Sequence, residues 1–156
     1  MKQLDTTSLA ILSEQAKLSP RLRANANLHD ELSDPVQRLA IAMEPGTVIR
    51  PHRHLHTWEL LTALRGRFIV LWFDDNGIVT ERVVLGVDSF VQETLAGVWH
   101  GVLSLDADGV IFEVKRGPYM PIGGADFAPG YADDDAQQGL QLNRWYAQAA
   151  LGDKLW

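Results

Sequence analysis

The chain has 156 residues, 46% apolar and 22% charged, the make-up of one globular domain large enough to bury its own core, which excludes a disordered or collagen-like chain. Twenty acidic residues against fourteen basic ones give a net charge of −6, which argues against a protein that holds nucleic acid by neutralising phosphates. There is no cysteine, so disulfides, thiolate nucleophiles and thiolate ligands are excluded, and a metal ion must be held by His, Asp or Glu.

At the N-terminus the apolar run Leu9 to Leu12 is too short for a signal-peptide core, and Asp5 and Glu14 flank it. No stretch approaches the ~20 apolar residues of a membrane span. The expectation is a cytoplasmic protein with neither a membrane nor a nucleic-acid partner. Residues 5–18 predict a short helix: Asp5, Thr6 or Thr7 caps it, Leu9, Leu12 and Ala16 share a face, and Pro20 ends it. In the next segment Arg23, Asn25, Asn27 and His29 alternate with Ala24, Ala26 and Leu28. If extended, it is either a solvated edge strand or the polar wall of a ligand site.

Strand-like runs follow at 36–43, 47–54, 58–64, 67–73, 78–85, 88–94, 99–105 and 109–115, separated by turn residues at 44–46, 74–77 and 106–109. The runs around Asp74-Asp75-Asn76-Gly77 read as a hairpin. Residues 117–135, rich in glycine and proline, read as an irregular crossing. Asp133 to Asp135 then either cap a last helix running to about residue 150 or form a solvated loop. In that helix Leu142, Trp145 and Ala149 share a stripe, and Gly152 is the stop. Short strands at this spacing predict an all-β barrel or jelly roll, one domain over 1–156, with its barrel core at about 34–116, an N-terminal arm at 1–33 and a helical or irregular extension at 117–156.

The chemistry concentrates in the histidines. Residues two apart on a strand share a face, so His52 and His54 point together. Glu59 opens the next run and supplies a carboxylate; a return strand brings His100 opposite the pair. Three imidazoles and a carboxylate make a nitrogen and oxygen site for one divalent ion: Fe, Mn, Ni or Zn. The plain alternatives are polar residues on an exposed strand for His52 and His54, and a structural histidine for His100. His56 shares their parity but lies too far along the strand to join them, so it reads as a pocket-rim or surface residue.

The spacing Gly46-x5-His52-x-His54-x4-Glu59-x6-Gly66 matches the first cupin motif at every fixed position. Gly97-x2-His100 resembles the second more loosely, with Leu95 where that pattern has proline. The segments PRLRANANLH (20–29), DPVQRLAIAMEPGTVIRPHRH (34–54), FEVKRGPY (112–119) and DFAP (126–129) are similar to the WbuC family of cupin-fold metalloproteins. The resemblance covers about residues 15–130. It implies a small single cupin barrel with one metal and a link to surface-polysaccharide synthesis, with no settled reaction.

The function expected is a metal-dependent enzyme on a small polar metabolite, an isomerase or epimerase on a sugar or sugar-nucleotide derivative. An Fe(II) dioxygenase or a non-catalytic sugar- or metal-binding module are the alternatives. Arg23, Asn25, Asn27, His29 and Tyr119 are the expected substrate contacts, with Arg23 offering a planar fork to an anion. Glu113 and Lys115 share parity and read either as further site residues or as a surface ion pair. A homodimer is expected, since Phe68, Trp72 and Phe73 give the strand at 67–73 more apolar surface than one small barrel needs.

Overall fold

The computed structural model describes residues 1–133 and 135–156. Asp134, in the acidic triplet, lies outside the described residues. Helix α1 (Thr6–Leu18) starts where expected: Asp5 accepts the Ser8 N–H, and the Ser8 hydroxyl oxygen accepts the Asp5 N–H, each at 2.8 Å. This reciprocal pair satisfies donors that the first turn leaves open.

Eight strands follow: β1 (Arg23–Asn27), β2 (Val36–Met43), β3 (Glu59–Arg65), β4 (Phe68–Phe73), β5 (Val79–Leu85), β6 (Val91–Thr94), β7 (Trp99–Ser104) and β8 (Gly109–Arg116). They form two antiparallel sheets, ordered β1-β2-β8-β3-β6 and β5-β4-β7. The sheets face each other as a jelly-roll barrel. Met43, Leu61, Phe68, Val70, Val102 and Ile111 meet between them. Helix α1 covers the outside of the five-stranded sheet, laying Leu12 and Ala16 on Ala40, Ala42 and Val110. Helix α2 (Ala136–Gln148), capped by Asp135, covers the outside of the other sheet, with Leu142 and Tyr146 on Ile69, Leu71, Phe73 and Leu103. No helix among the described residues is long and apolar enough to cross a membrane.

Three expectations are corrected. Residues 47–54 form no ladder strand. His52 exchanges one pair of backbone hydrogen bonds with His100, at 2.9 and 2.8 Å, and its neighbours Pro51 and Arg53 pair with Ala128 and Asp126. Pro51 has no N–H to give a ladder. The run at 88–94 shortens to β6 because residues 86–90 turn, with Asp88 accepting the Val84 N–H at 3.0 Å. The apolar surplus assigned to β4 is covered within the chain. Phe68 and Phe73 are buried, Trp72 donates to the Thr94 hydroxyl at 2.8 Å, and Trp145, Tyr146 and Trp156 pack on Phe73. A central strand buried on both faces reads as a continuous apolar run, and that explains the surplus.

Candidate metal centre and its cavity

The extended segment before β3 aims its side chains alternately, as a strand would. Arg53 turns outward over the Trp99 ring at 4.3 Å and meets Asp126 at 3.3 Å. His52 and His54, on either side of it, turn inward and are buried. Their rings approach His100 of β7, with centroids 4.4 and 5.7 Å away. One nitrogen from each of the three lies within 4.8 Å of the other two.

The outer nitrogens are already held. His52 Nδ1 is 2.8 Å from the Arg50 carbonyl and His100 Nδ1 is 3.0 Å from that of Val98. Donating there sets the tautomer and leaves each Nε2 lone pair for a ligand role. His100 is 1% exposed, yet its Nε2 has no hydrogen-bond partner. Glu59 Oε2 is 3.2 Å from that atom, and a ring whose Nδ1 donates to Val98 has no proton there to give it. A buried orphan nitrogen among three convergent imidazoles fits a divalent cation that takes nitrogen ligands. Burial, then the nearby His100, pushes His52 well below its usual pKa, which keeps its lone pair available.

Glu59, first residue of β3, reaches the cluster with both oxygens: Oε1 is 3.5 Å from His54 Nε2, Oε2 next to His100. Burial opposes its charge. The contacts from His100 and His54, with Lys115 beside it, outweigh burial and hold the carboxyl well below the usual range. Lys115 Nζ lies 3.5 Å from Glu59 Oε1 and 2.7 Å from Glu113 Oε1. Glu113 is buried, and the Lys115 side chain is only 15% exposed. The surface ion-pair reading of these two is therefore corrected: they lie on the concave face of β8. Burial, then the charge of Glu59, pushes the Glu113 carboxyl up to about 7.

A cavity of about 540 Å³ opens over this centre. Its wall includes His52, His54 and Glu59, together with Arg23, Asn25, Asn27, His29 and Tyr119. All five expected substrate contacts thus border the same space as the histidine cluster. The alternation in β1 shows in its packing: Arg23, Asn25 and Asn27 border the cavity, while Ala24 and Ala26 pack toward α1, Ala24 bordering the cavity as well. His56 is exposed, in keeping with a surface residue. Not foreseen were Arg21, Gln37 and the apolar floor of Leu39, Ile41, Leu61 and Ile111. The signal was there in β2, where Gln37, Leu39, Ile41 and Met43 share one parity.

Residues 4–85, just over half of the chain, match the family model described as a domain of unknown function (DUF6016). The chain belongs to that family. No curated protein matches the sequence. Among solved structures, TT1209 from Thermus thermophilus superposes with a TM-score of 0.55 at 20% identity, over 74% of this chain and 97% of its own. KdgF from a Halomonas species gives 0.52 at 16% identity, over 66% and 85%. The DMSP lyase DddQ from Ruegeria pomeroyi gives 0.51 at 19%, over 64% and 49%. At these identities the likeness is one of fold. This DUF6016 chain shares its barrel with proteins of differing names, so its function must be argued from its own site.

Proposed function

We propose that the chain is a divalent-metal-dependent enzyme of the isomerase or epimerase type. Its substrate is a sugar or sugar-nucleotide derivative of surface-polysaccharide synthesis, and its setting is cytoplasmic. The observation that carries this is the cluster of three buried histidines, two of which, His52 and His54, border a cavity whose wall also holds the Glu113–Lys115 carboxylate–ammonium pair. His52, His54, His100 and Glu59 would hold one ion of Fe, Mn, Ni or Zn, which would polarise a substrate carbonyl or hydroxyl. Glu113, against Lys115 and paired in register with Leu61, is the group that takes a proton from substrate and returns it. Lys115 ties Glu113 to Glu59 and fixes both carboxyl groups on the wall. The likeness to the WbuC family supports the polysaccharide setting. Its four segments contribute β1, the histidine segment, β8 with Glu113 and Lys115, and the 126–128 stretch that pairs with residues 51–53.

The test is turnover in D2O by the metal-loaded full chain over a panel of nucleotide sugars, followed by proton NMR. The expected result is loss of one ring C–H signal. It requires metal and disappears in Glu113→Gln, which keeps its metal. Oxygen uptake without exchange would replace this reading with a dioxygenase, and metal-dependent binding without turnover with a binding module. The proposal includes a homodimer, supported by the edge strand β6 and exposed Phe90, Val91 and Leu95 around it, which a second copy would cover. Light scattering should give twice the 17.4 kDa of one chain; a species of one chain's mass removes the dimer.

A further inference from the structure

His29 leaves a hydrogen-bond donor unanswered in the wall of the cavity. The ring is 4% exposed and lines the cavity on the β1 side, across β2 and β8 from Glu59. Its Nδ1 lies 3.0 Å from both the backbone N and the backbone O of Arg38. The Arg38 carbonyl already accepts the Leu28 N–H at 2.7 Å. The Arg38 N–H points the same way and takes Nδ1 as its acceptor, because a backbone donor inside a sheet must be paired. With Nδ1 accepting, the ring proton sits on Nε2. That Nε2 is buried without a hydrogen-bond partner. A donor so placed calls for an oxygen from outside the chain.

The surroundings narrow what carries that oxygen. A polar row crosses the concave face from His29 toward the metal centre. Gln37, next to Arg38, pairs with Lys115, and Lys115 pairs with Glu59. From β1 to β3 there are three inter-strand steps, about 14 Å along the sheet. Beside the row the floor is apolar, with Leu39, Ile41, Leu61 and Ile111. Two cationic side chains, Arg21 and Arg23, border the cavity on the β1 side.

We infer that the cavity takes an elongated ligand ending in an anionic oxygen group, carboxylate or phosphoryl, which accepts the His29 Nε2–H while the other end lies at the histidine cluster. This rests on the proposed function only for what occupies the cluster end. It narrows that reading: a neutral sugar carries no anionic group for this donor, whereas a sugar bearing a phosphoryl or carboxylate group does.

Titration calorimetry of the metal-free full chain with glucose 1-phosphate, glucuronate and glucose tests it. At least one anion should bind about 10- to 100-fold more tightly than glucose, and His29→Phe should remove that advantage. The stronger of the two anions tells phosphoryl from carboxylate. Nitrogen-15 NMR of the unsubstituted protein should find the His29 proton on Nε2, with a shift on adding that anion, so the inference stands even if the variant folds poorly. A proton on Nδ1, equal or absent binding of all three probes, or an advantage that survives His29→Phe overturns it. Metal content measured on separate, metal-loaded samples keeps the two readings apart. Failure to load metal with the His29 contact intact removes only the enzyme proposal. Loss of the His29 contact with metal loading intact removes only this one.

Discussion

His54 is the residue whose loss would separate the candidate metal centre from the barrel around it. Its Nε2 faces Glu59, and its ring stands edge-on to His52 at 5.0 Å. It sits in a loop segment and pairs with no strand, so truncation opens space beside polar groups that water can fill. His54→Ala is therefore expected to fold and to lose nearly all bound metal on dialysis, checked by elemental analysis beside circular dichroism. Full retention of metal would remove His54 from the ligand set. A second residue-scale prediction concerns pH. Arg67 hydrogen-bonds Asp106 at 2.8 and 2.9 Å and holds its carboxyl below the ordinary 3.8. A depressed folded pKa adds stability that is present above 3.8 and fades as pH falls through the folded value. Asp106→Asn should thus be less stable than the parent at neutral pH, with the gap closing below pH 3.8 in urea melts. A gap that persists in acid would mean the carboxylate's charge is not its source.

Among the elements, β7 and α2 approach closely at Gly101. A Cβ on Gly101 would overlap the Tyr146 hydroxyl and come within 2.5 Å of its ring carbon Cζ. Tyr146 is fully buried and donates to the Ile49 carbonyl at 3.2 Å, so it has no room to retreat. Gly101→Ala should cost about 3 kcal/mol in urea denaturation, an overpacking penalty. An effect within experimental error would show that α2 shifts freely on its sheet. Because Gly101 follows His100 directly, the same variant should also weaken metal retention. At this scale the sequence read well. The cap of α1, the β4–β5 hairpin and most strands fall where residue patterns put them, since turn residues and period-two alternation act locally. The stretch at 47–54 misread because its alternation is real while its ladder is not: Pro51 removes a donor, and only His52 finds a backbone partner on β7.

For the whole molecule, the candidate metal centre, with Glu59 beside the histidines, draws on β3, β7 and the segment before β3, and thereby on both sheets. An ion that binds only the folded chain stabilises it by mass action, by about 2.7 kcal/mol at a hundred times its Kd. For a domain of this size that corresponds to a rise in Tm of roughly 5–10 °C. A thermal-shift series with Mn, Fe, Ni and Zn should show such a rise for at least one metal in the parent chain and none in His54→Ala. An equal rise in both would place the ion elsewhere.

The sequence by itself determined the all-β class, the N-terminal helix, the histidine and glutamate ligand candidates by their spacing, and the two-faced character of residues 23–29, while leaving the C-terminal segment as helix or loop. These follow from local rules: which residues turn, which alternate and which cap. Only the tertiary structure decided that β1 closes one side of the same cavity that the histidines enter from the other. It also buried Glu113 and left Lys115 only 15% exposed beside it, although in sequence they look like any surface pair, because the face of β8 they share lines the cavity. It placed α2 and Trp156 over Phe73, turning an apparent apolar surplus into core. His29 shows the division most plainly. Its parity was legible along the chain, but the proton on Nε2 follows from the Arg38 N–H on the next strand, a contact set by sheet register.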